Sequence, residues 1–321
     1  MSHIATTNDE PMLLAMDSGG TKTAFRLLDR TGRIYGESRS GGVASIRSGM
    51  LPVKEYLQAG LSALPSCRIK RAYFSLGGPN EEEVRTVLQE LLPETEITLD
   101  REANGNMILT AAALYRCTAA VMVGTGSVAV GVRGGKRVFS GGWGPALDDA
   151  GAGGFLGLEA LKRYLFDVDR RRDCGRLREM FATLSEGLDV ETFSGRMELK
   201  RRANELTRSE LAAFVPEICR LAEEGCTVCT GLLSRCAGDI AELAASVAEV
   251  DGSGVLACGG MFQISTAFRR ECQNALSRYM PGKELKFFNG SGMTGCAAIM
   301  VLRAEGITDH NILWNQIGEE E

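Results

Sequence analysis

The sequence predicts an α/β protein made of two similar halves. Three observations predict it. An apolar strand, a glycine-and-hydroxyl turn and two further short strands open the chain at residue 12, and the same order returns at residue 119. After each opening the hydrophobic period changes from that of a strand to that of a helix. Residues 124–157 also hold 12 of the 39 glycines, too many for a helix or a plain sheet.

The elements follow in order. Met12 to Asp17 is a short apolar run ending in an acid, as a buried strand does. Ser18-Gly19-Gly20-Thr21-Lys22 is a tight turn, Thr23 to Asp29 a strand, Thr31-Gly32 a turn and Arg33 to Ser38 a third strand. Three strands on short turns make an antiparallel meander. Val53, Tyr56, Leu57, Leu61 and Leu64 then mark an amphipathic helix. Arg71 to Leu76 is a strand, Glu81 to Leu92 a helix, Glu96 to Leu99 a strand and Glu102 to Tyr115 a helix. In the second half Ala119 to Val123, Val128 to Arg133 and Arg137 to Phe139 repeat the meander around Gly124-Thr125-Gly126-Ser127 and Gly134-Gly135. Helices cover Phe155 to Phe166 and most of 176–250. A buried strand spans Gly254 to Cys258, and helices cover about 262–279 and 293–304.

The domains expected are a leader at 1–11, a first domain at 12–117 and a second at 118–305 with a helical insertion at about 167–250. A tail at 306–321 packs back on the first domain. The linker lies near Arg116 to Thr118.

Composition excludes several classes. A net charge of −5 with 24% charged residues gives no basic footprint for nucleic acid or an anionic membrane. No apolar run reaches the roughly 18 residues of a spanning helix. The start is polar and has no signal-peptide h-region, so a cytoplasmic location is expected. Ten scattered cysteines then read as mostly buried thiols. Cys219, Cys226, Cys229 and Cys236 are spaced to fall near one face of a helix, and Cys226-x-x-Cys229 is a C-x-x-C. A zinc or redox site is one reading. Small core residues on a tightly packed helix is the other, favoured here because no histidine is near.

Two turns carry the chemistry. Asp17-Ser18-Gly19-Gly20-Thr21-Lys22-Thr23 and Gly124-Thr125-Gly126-Ser127 both combine glycines, which expose backbone N–H groups, with hydroxyls. Such nests hold phosphate oxygens. Asp17 adds a carboxylate at a strand end, suited to hydrated Mg²⁺. Neither turn has Walker A spacing. One phosphate turn per repeat implies a nucleotide held between two similar domains.

These motifs resemble the actin, hexokinase and heat-shock-chaperone superfamily. More narrowly they are similar to the BadF/BadG/BcrA/BcrD-type ATPase family, in its N-acetylglucosamine kinase and glucosamine kinase branch. Ser75-Leu-Gly-Gly-Pro79, Gly124-Thr-Gly-Ser127, Gly141-Gly-Trp-Gly-Pro145 with Asp149 and Gly151, Cys258-Gly-Gly-Met261 and Gly292 to Ala298 carry the likeness. The resemblance implies two actin-like (ribonuclease H-like) domains, each with a mixed five-stranded sheet of βββαβα order, duplicated around a nucleotide cleft. It implies an ATP- and Mg²⁺-dependent phosphotransferase acting on a small amino sugar, and a homodimer.

Carried over residue by residue, the phosphates fall to Gly19, Gly20, Thr21, Gly124, Thr125, Gly126 and Ser127, with Lys22 either on phosphate or in solvent. Mg²⁺ falls to Asp17, and the adenine to Gly259, Gly260 and Met261. The catalytic carboxylate falls on Glu102 in a gapless alignment, with Asp100 two residues upstream. A second sugar-facing acid matches Asp149. Gly78, Gly144, Trp143 and the loop at Ala44 or Ser45 border the sugar, and a hydrophobic hinge plug is the other reading of Trp143. The family's second glutamate is Ala150 here, and its loop asparagine is missing. Two alternatives remain: a nucleotide-binding ATPase or regulator without sugar kinase activity, and an activator of 2-hydroxyacyl-CoA dehydratases. The second carries a different phosphate motif, Asp-Ile-Gly-Gly-Gln-Asp.

Overall fold

The computed structural model describes residues 11–19, 22–43, 46, 49–76, 80–144, 146–172, 175–249, 254–288 and 293–317. The chain forms two compact units. One holds residues 1–114 and 289–321, the other 115–288.

The first unit opens with β1 (Met12–Ser18), β2 (Lys22–Leu28) and β3 (Ile34–Gly41). Then come α1 (Met50–Ser62), β4 (Ile69–Leu76), α2 (Glu81–Leu91), β5 (Glu96–Asp100) and α3 (Ala103–Leu114). The sheet order is β3-β2-β1-β4-β5. β1–β2 and β2–β3 are antiparallel, whereas β1–β4 and β4–β5 are parallel. Leu14, Met16, Phe25 and Phe74 of the sheet pack with Val53 and Leu57 of α1 and Val84 and Leu88 of α2. Gly60 lets α1 lie directly on the sheet, because a Cβ there would fall 2.1 Å from the Phe25 ring.

The second unit begins with β6 (Ala119–Val123), β7 (Ser127–Arg133), β8 (Lys136–Gly141) and α4 (Gly153–Asp169). A helical stretch follows: α5 (Arg176–Met180), α6 (Ala182–Ser185), α7 (Phe193–Glu205), α8 (Arg208–Ala212), α9 (Val215–Glu223) and α10 (Thr227–Val247). β9 (Val255–Cys258), α11 (Met261–Ile264), α12 (Thr266–Tyr279) and β10 (Leu285–Phe287) complete it. The sheet order β10-β9-β6-β7-β8 repeats that of the first unit. α13 (Met293–Ala304) and α14 (His310–Trp314) return to the first unit.

Three features differ from the sequence reading. α13 belongs to the first unit, not to a domain running to residue 305. It packs on β1, β4 and α3, and the side chain of half-buried Glu305 just past its end binds Lys70 and Arg71 at 2.8 Å each. β10 has no counterpart in the reading, since three residues centred on Lys286 are too few to show a period. The cysteine cluster does not share one helix. Cys219 lies on α9 and Cys226 caps α10, because Gly225 takes φ +89° and breaks the chain between them.

No helix among the described residues is long and apolar enough to cross a membrane. Among those residues no group of three or more His, Cys, Asp or Glu is gathered to hold a metal ion.

Candidate active site

In the first unit the parallel registers pair Asp17 of β1 with Ser75 of β4, and Ser75 with Asp100 of β5. Residues paired across adjacent strands point to the same face. Two carboxylates therefore share one face, two strand spacings or roughly 10 Å apart. They stand at the C-terminal ends of parallel strands, where open α/β sheets receive ligands.

The Asp17 carboxylate accepts a hydrogen bond from Ser75. Burial pushes its pKa above the ordinary carboxylate value, and the Ser75 bond and the Lys22 charge oppose that rise without cancelling it. Asp100 is held from three sides. The Tyr73 hydroxyl donates to Oδ2 at 2.5 Å, Asn106 Nδ2 donates to the same oxygen at 2.8 Å, and the Glu102 amide donates to Oδ1 at 2.9 Å. Burial and then the bond to Asp100 raise the Tyr73 pKa far above the usual phenol range, so the hydroxyl stays a donor. Glu102 itself is exposed at the start of α3.

The first glycine turn closes through the Gly19 amide, which donates to Lys22 O at 2.9 Å. Gly20 and Thr21 lie outside the described residues, as do Ala44, Ser45 and Gly78. Thr23 is fully buried and works inside the fold: its hydroxyl donates to Gly41 O and accepts from the Val43 amide. Asn80, also buried, donates to Val43 O at 3.1 Å and so ties the segment after β4 to the one after β3.

In the second unit the Gly124–Ser127 turn is braced by its neighbours. The Gly153 and Gly154 amides, at the start of α4, donate to Gly124 O at 2.8 Å and Thr125 O at 3.1 Å. The Ser127 amide donates to Asp149 Oδ1 at 3.0 Å, and the Ser127 hydroxyl donates to Ala150 O at 3.1 Å. Gly126 has no room for a side chain, since a Cβ would lie 2.6 Å from Asp149 Oδ1. Asp149 is buried and has φ +67°, a left-handed conformation that aspartate tolerates better than most residues. The amides of Thr125 and Gly126 have no hydrogen-bond partner among the described residues. A turn whose carbonyls are tied down and whose amides stay open is an anion cradle.

Gly259, Gly260 and Met261 come to this turn. Gly259 has φ +106°, and a Cβ there would fall 2.3 Å from Val123 O, just before Gly124. The buried Met261 places its sulfur 3.1 Å from where a Cβ on Gly153 would stand. A Cβ on Gly260 would meet nothing within 4 Å. Trp143 is 77% exposed, on a loop where Gly141, Gly142 and Gly144 all have positive φ. Its amide donates to Asp148 Oδ2.

The structure adds Arg208, which the sequence reading missed. Its guanidinium stands 3.7 Å from Asp149 Oδ2. It also crowds Gly154, where a Cβ would lie 2.9 Å from Nε. Nε and Nη2 are buried with no hydrogen-bond partner. A cation with open donors beside the positive end of α4 leaves this corner short of negative charge. The sequence does show the Thr207–Glu210 capping box that starts α8. It does not show that α8 lies on the glycine-rich start of α4.

The family model for the BadF/BadG/BcrA/BcrD ATPase family matches residues 14–288. The chain belongs to that family. A glucosamine kinase of Vibrio cholerae serotype O1 is 28% identical over 166 residues, which is 49% of this chain and 55% of that protein. The alignment thus spans about half the length of the curated relative it matches. Among solved structures, a Chromobacterium violaceum protein provisionally assigned as an N-acetylglucosamine kinase is 20% identical with TM-score 0.68, over 92% of this chain and 100% of that one. A glucokinase of the ROK family from Streptomyces griseus, in complex with glucose and AMPPNP, is 13% identical with TM-score 0.56, over 91% and 99%. These likenesses establish the two-domain actin-like fold for this ATPase-family chain.

Proposed function

We propose that the protein is an ATP-dependent kinase whose phosphate acceptor is a small amino sugar. The observation that carries the reading is the Asp17–Ser75–Asp100 row, which sets two carboxylates on one face at the C-terminal ends of parallel strands. Family membership supports the nucleotide, and the resemblance to a glucosamine kinase supports the sugar. The ROK glucokinase fold that accommodates glucose with an ATP analogue adds support.

The residues present fit both groups. Asp17 is a half-buried carboxylate whose ionisation costs free energy unless a cation offsets it, as hydrated Mg²⁺ would. When bound, Mg²⁺ supplies charge neutralisation to the phosphoryl group in transfer. The open amides of Thr125 and Gly126, with Gly124 and Ser127, suit the triphosphate, together with Gly19, Gly20, Thr21 and Lys22 of the first turn. Gly259, Gly260 and Met261 border the base.

On the acceptor side Glu102 faces the hydroxyl as base or orienter. Asp100 fixes the start of α3, because its oxygens are already occupied by Tyr73, Asn106 and the Glu102 amide. Trp143, beside Gly144, stacks on the sugar face, and Ser45 and Gly78 are the first unit's candidates for contact with the sugar. Asp149 acts through the turn it braces. The protein works in the cytoplasm as a homodimer, with no nucleic-acid or membrane partner.

The test is ADP release with Mg·ATP across glucosamine, N-acetylglucosamine, glucose and a no-sugar control. Stimulation by an amino sugar above glucose is expected. Nucleotide binding with no stimulation by any sugar would replace this reading with that of a regulatory ATPase.

A further inference from the structure

The C-x-x-C has a geometry that neither the fold nor the proposed kinase uses. Cys226 is the N-cap of α10, a helix of 21 residues, and Cys229 sits in its first turn. The two differ in access. Cys229 is 0% exposed, whereas Cys226 is partly exposed and lines a cavity of about 380 Å³ with Arg176, Glu224, Thr227 and Val228. Residues three apart on a helix are neighbours, so the two thiols stand side by side at the start of α10, and Cys226 helps to raise the Cys229 pKa. The N-terminal end of a helix favours negative charge at the cap, where Cys226 lies.

We propose that Cys226 and Cys229 are a reversible dithiol–disulfide pair whose co-reactant is a low-molecular-weight disulfide entering by the cavity at the N-terminus of α10. Cys226 is the attacking sulfur and Cys229 the resolving one. In the first step the Cys226 thiolate attacks one sulfur of the reagent, R–S–S–R. A mixed disulfide forms and one R–SH leaves with a proton. In the second step the Cys229 sulfur attacks the Cys226 sulfur, the mixed disulfide breaks, and the second R–SH leaves with the Cys229 proton. Two protein thiols are oxidised and one disulfide is reduced to two thiols. Closure needs little chain movement. Residues three apart on a helix are neighbours, which lets the two sulfurs come together at the roughly 2.05 Å of a disulfide.

The asymmetry has a cause. Burial, and then donation of a hydrogen bond to Cys226, push the Cys229 thiol up to about 12. Cys229 therefore stays protonated until it resolves the mixed disulfide. The other buried thiols near this turn have no such partner role: burial raises Cys219 to about 11 and Cys236 to about 12.

The test uses the intact reduced chain and oxidised glutathione, followed by acid quench, alkylation, trypsin and mass spectrometry. Cleavage after Arg220 and Arg235 leaves Cys226 and Cys229 alone in one peptide. That peptide should lose both alkylation sites and two hydrogens, and a dithiol reductant should restore it. Cys229→Ser should stop at a stable glutathione adduct on Cys226. Exposed Cys67 reports that the reagent worked. The proposal is overturned if the peptide stays fully alkylated while Cys67 has reacted. A wild-type chain that stops at the Cys226 adduct, or a cross-link from this peptide to Cys219, overturns it equally.

Discussion

Asp17 and Asp100 stand in one register row of the first sheet, with Ser75 between them. The two carboxylates are held differently. Asp100 has three donors, whereas Asp17 has Ser75 and a nearby lysine charge against a larger burial cost.

The first prediction follows from that cost. A carboxyl whose folded pKa lies above its unfolded value contributes stability below the unfolded value and loses it as pH rises through the folded one. Ionised Asp17 therefore lowers stability at neutral pH. Without Mg²⁺, Asp17→Asn should melt higher than wild type at pH 7, by about a few degrees. The gap should shrink as pH falls toward the ordinary value of 3.8. Turnover should fall in the same variant. A lower melting point for Asp17→Asn across pH 4–8 would contradict the assigned cause of the shift.

Much of this was legible in the sequence. The repeated strand–turn–meander gave both sheets, because apolar runs and glycine turns are local signals. Asp17 was legible as a strand-end acid, and its pairing with Asp100 through Ser75 was not, since register is set by long-range pairing. Arg208 was hidden for the same reason. Its place depends on Gly154 and Gly157 letting α8 lie on α4, where a Cβ at Gly157 would meet Leu211 O at 2.0 Å. The cysteine spacing misled because seven residues fit a helical period, and only Gly225 in a left-handed turn divides α9 from α10.

Asp149 and Arg208 should prove energetically coupled. Asp149 is buried against the Ser127 amide, and Arg208 is the cation 3.7 Å away. Asp149→Asn keeps an acceptor for Ser127 and tolerates positive φ, whereas Asp149→Ala loses both. Nucleotide affinity should therefore fall more for Ala than for Asn. A double-mutant cycle of Asp149→Asn with Arg208→Met, read as melting free energy, should give about 0.5–3 kcal/mol of coupling. Additive effects would show that the pair is a coincidence of packing.

Trp143 should report the sugar. The chain has two tryptophans, and Trp314 is stacked on His310 with centroids 5.8 Å apart. In a Trp314→Phe background, emission comes from Trp143 alone. Saturating amino sugar should shift or quench it, and ATP alone should not. An aromatic stacking contact is worth about 0.5–1.5 kcal/mol, so Trp143→Ala should raise the sugar KM roughly 2- to 10-fold. Constant emission together with an unchanged KM would leave Trp143 as an exposed loop residue with no part in binding.

The last prediction separates the two acids at the start of α3. Asp100 Oδ2 accepts from Tyr73 and Asn106, and Oδ1 accepts from the Glu102 amide. A carboxylate so occupied anchors the chain at the start of α3 and has little room to meet an acceptor hydroxyl. Glu102 is exposed, and the position of its backbone depends on that anchor. A general base typically contributes about 10²–10⁴-fold in rate. Glu102→Gln should lower kcat by about that range, with ATP affinity and melting temperature nearly unchanged. Asp100→Asn puts an amide where two donors converge, so it should lower the melting temperature and reduce kcat less. If instead Asp100→Asn abolishes turnover at an unchanged melting temperature and Glu102→Gln is silent, Asp100 is the group that meets the acceptor, and the catalytic register moves back by two residues.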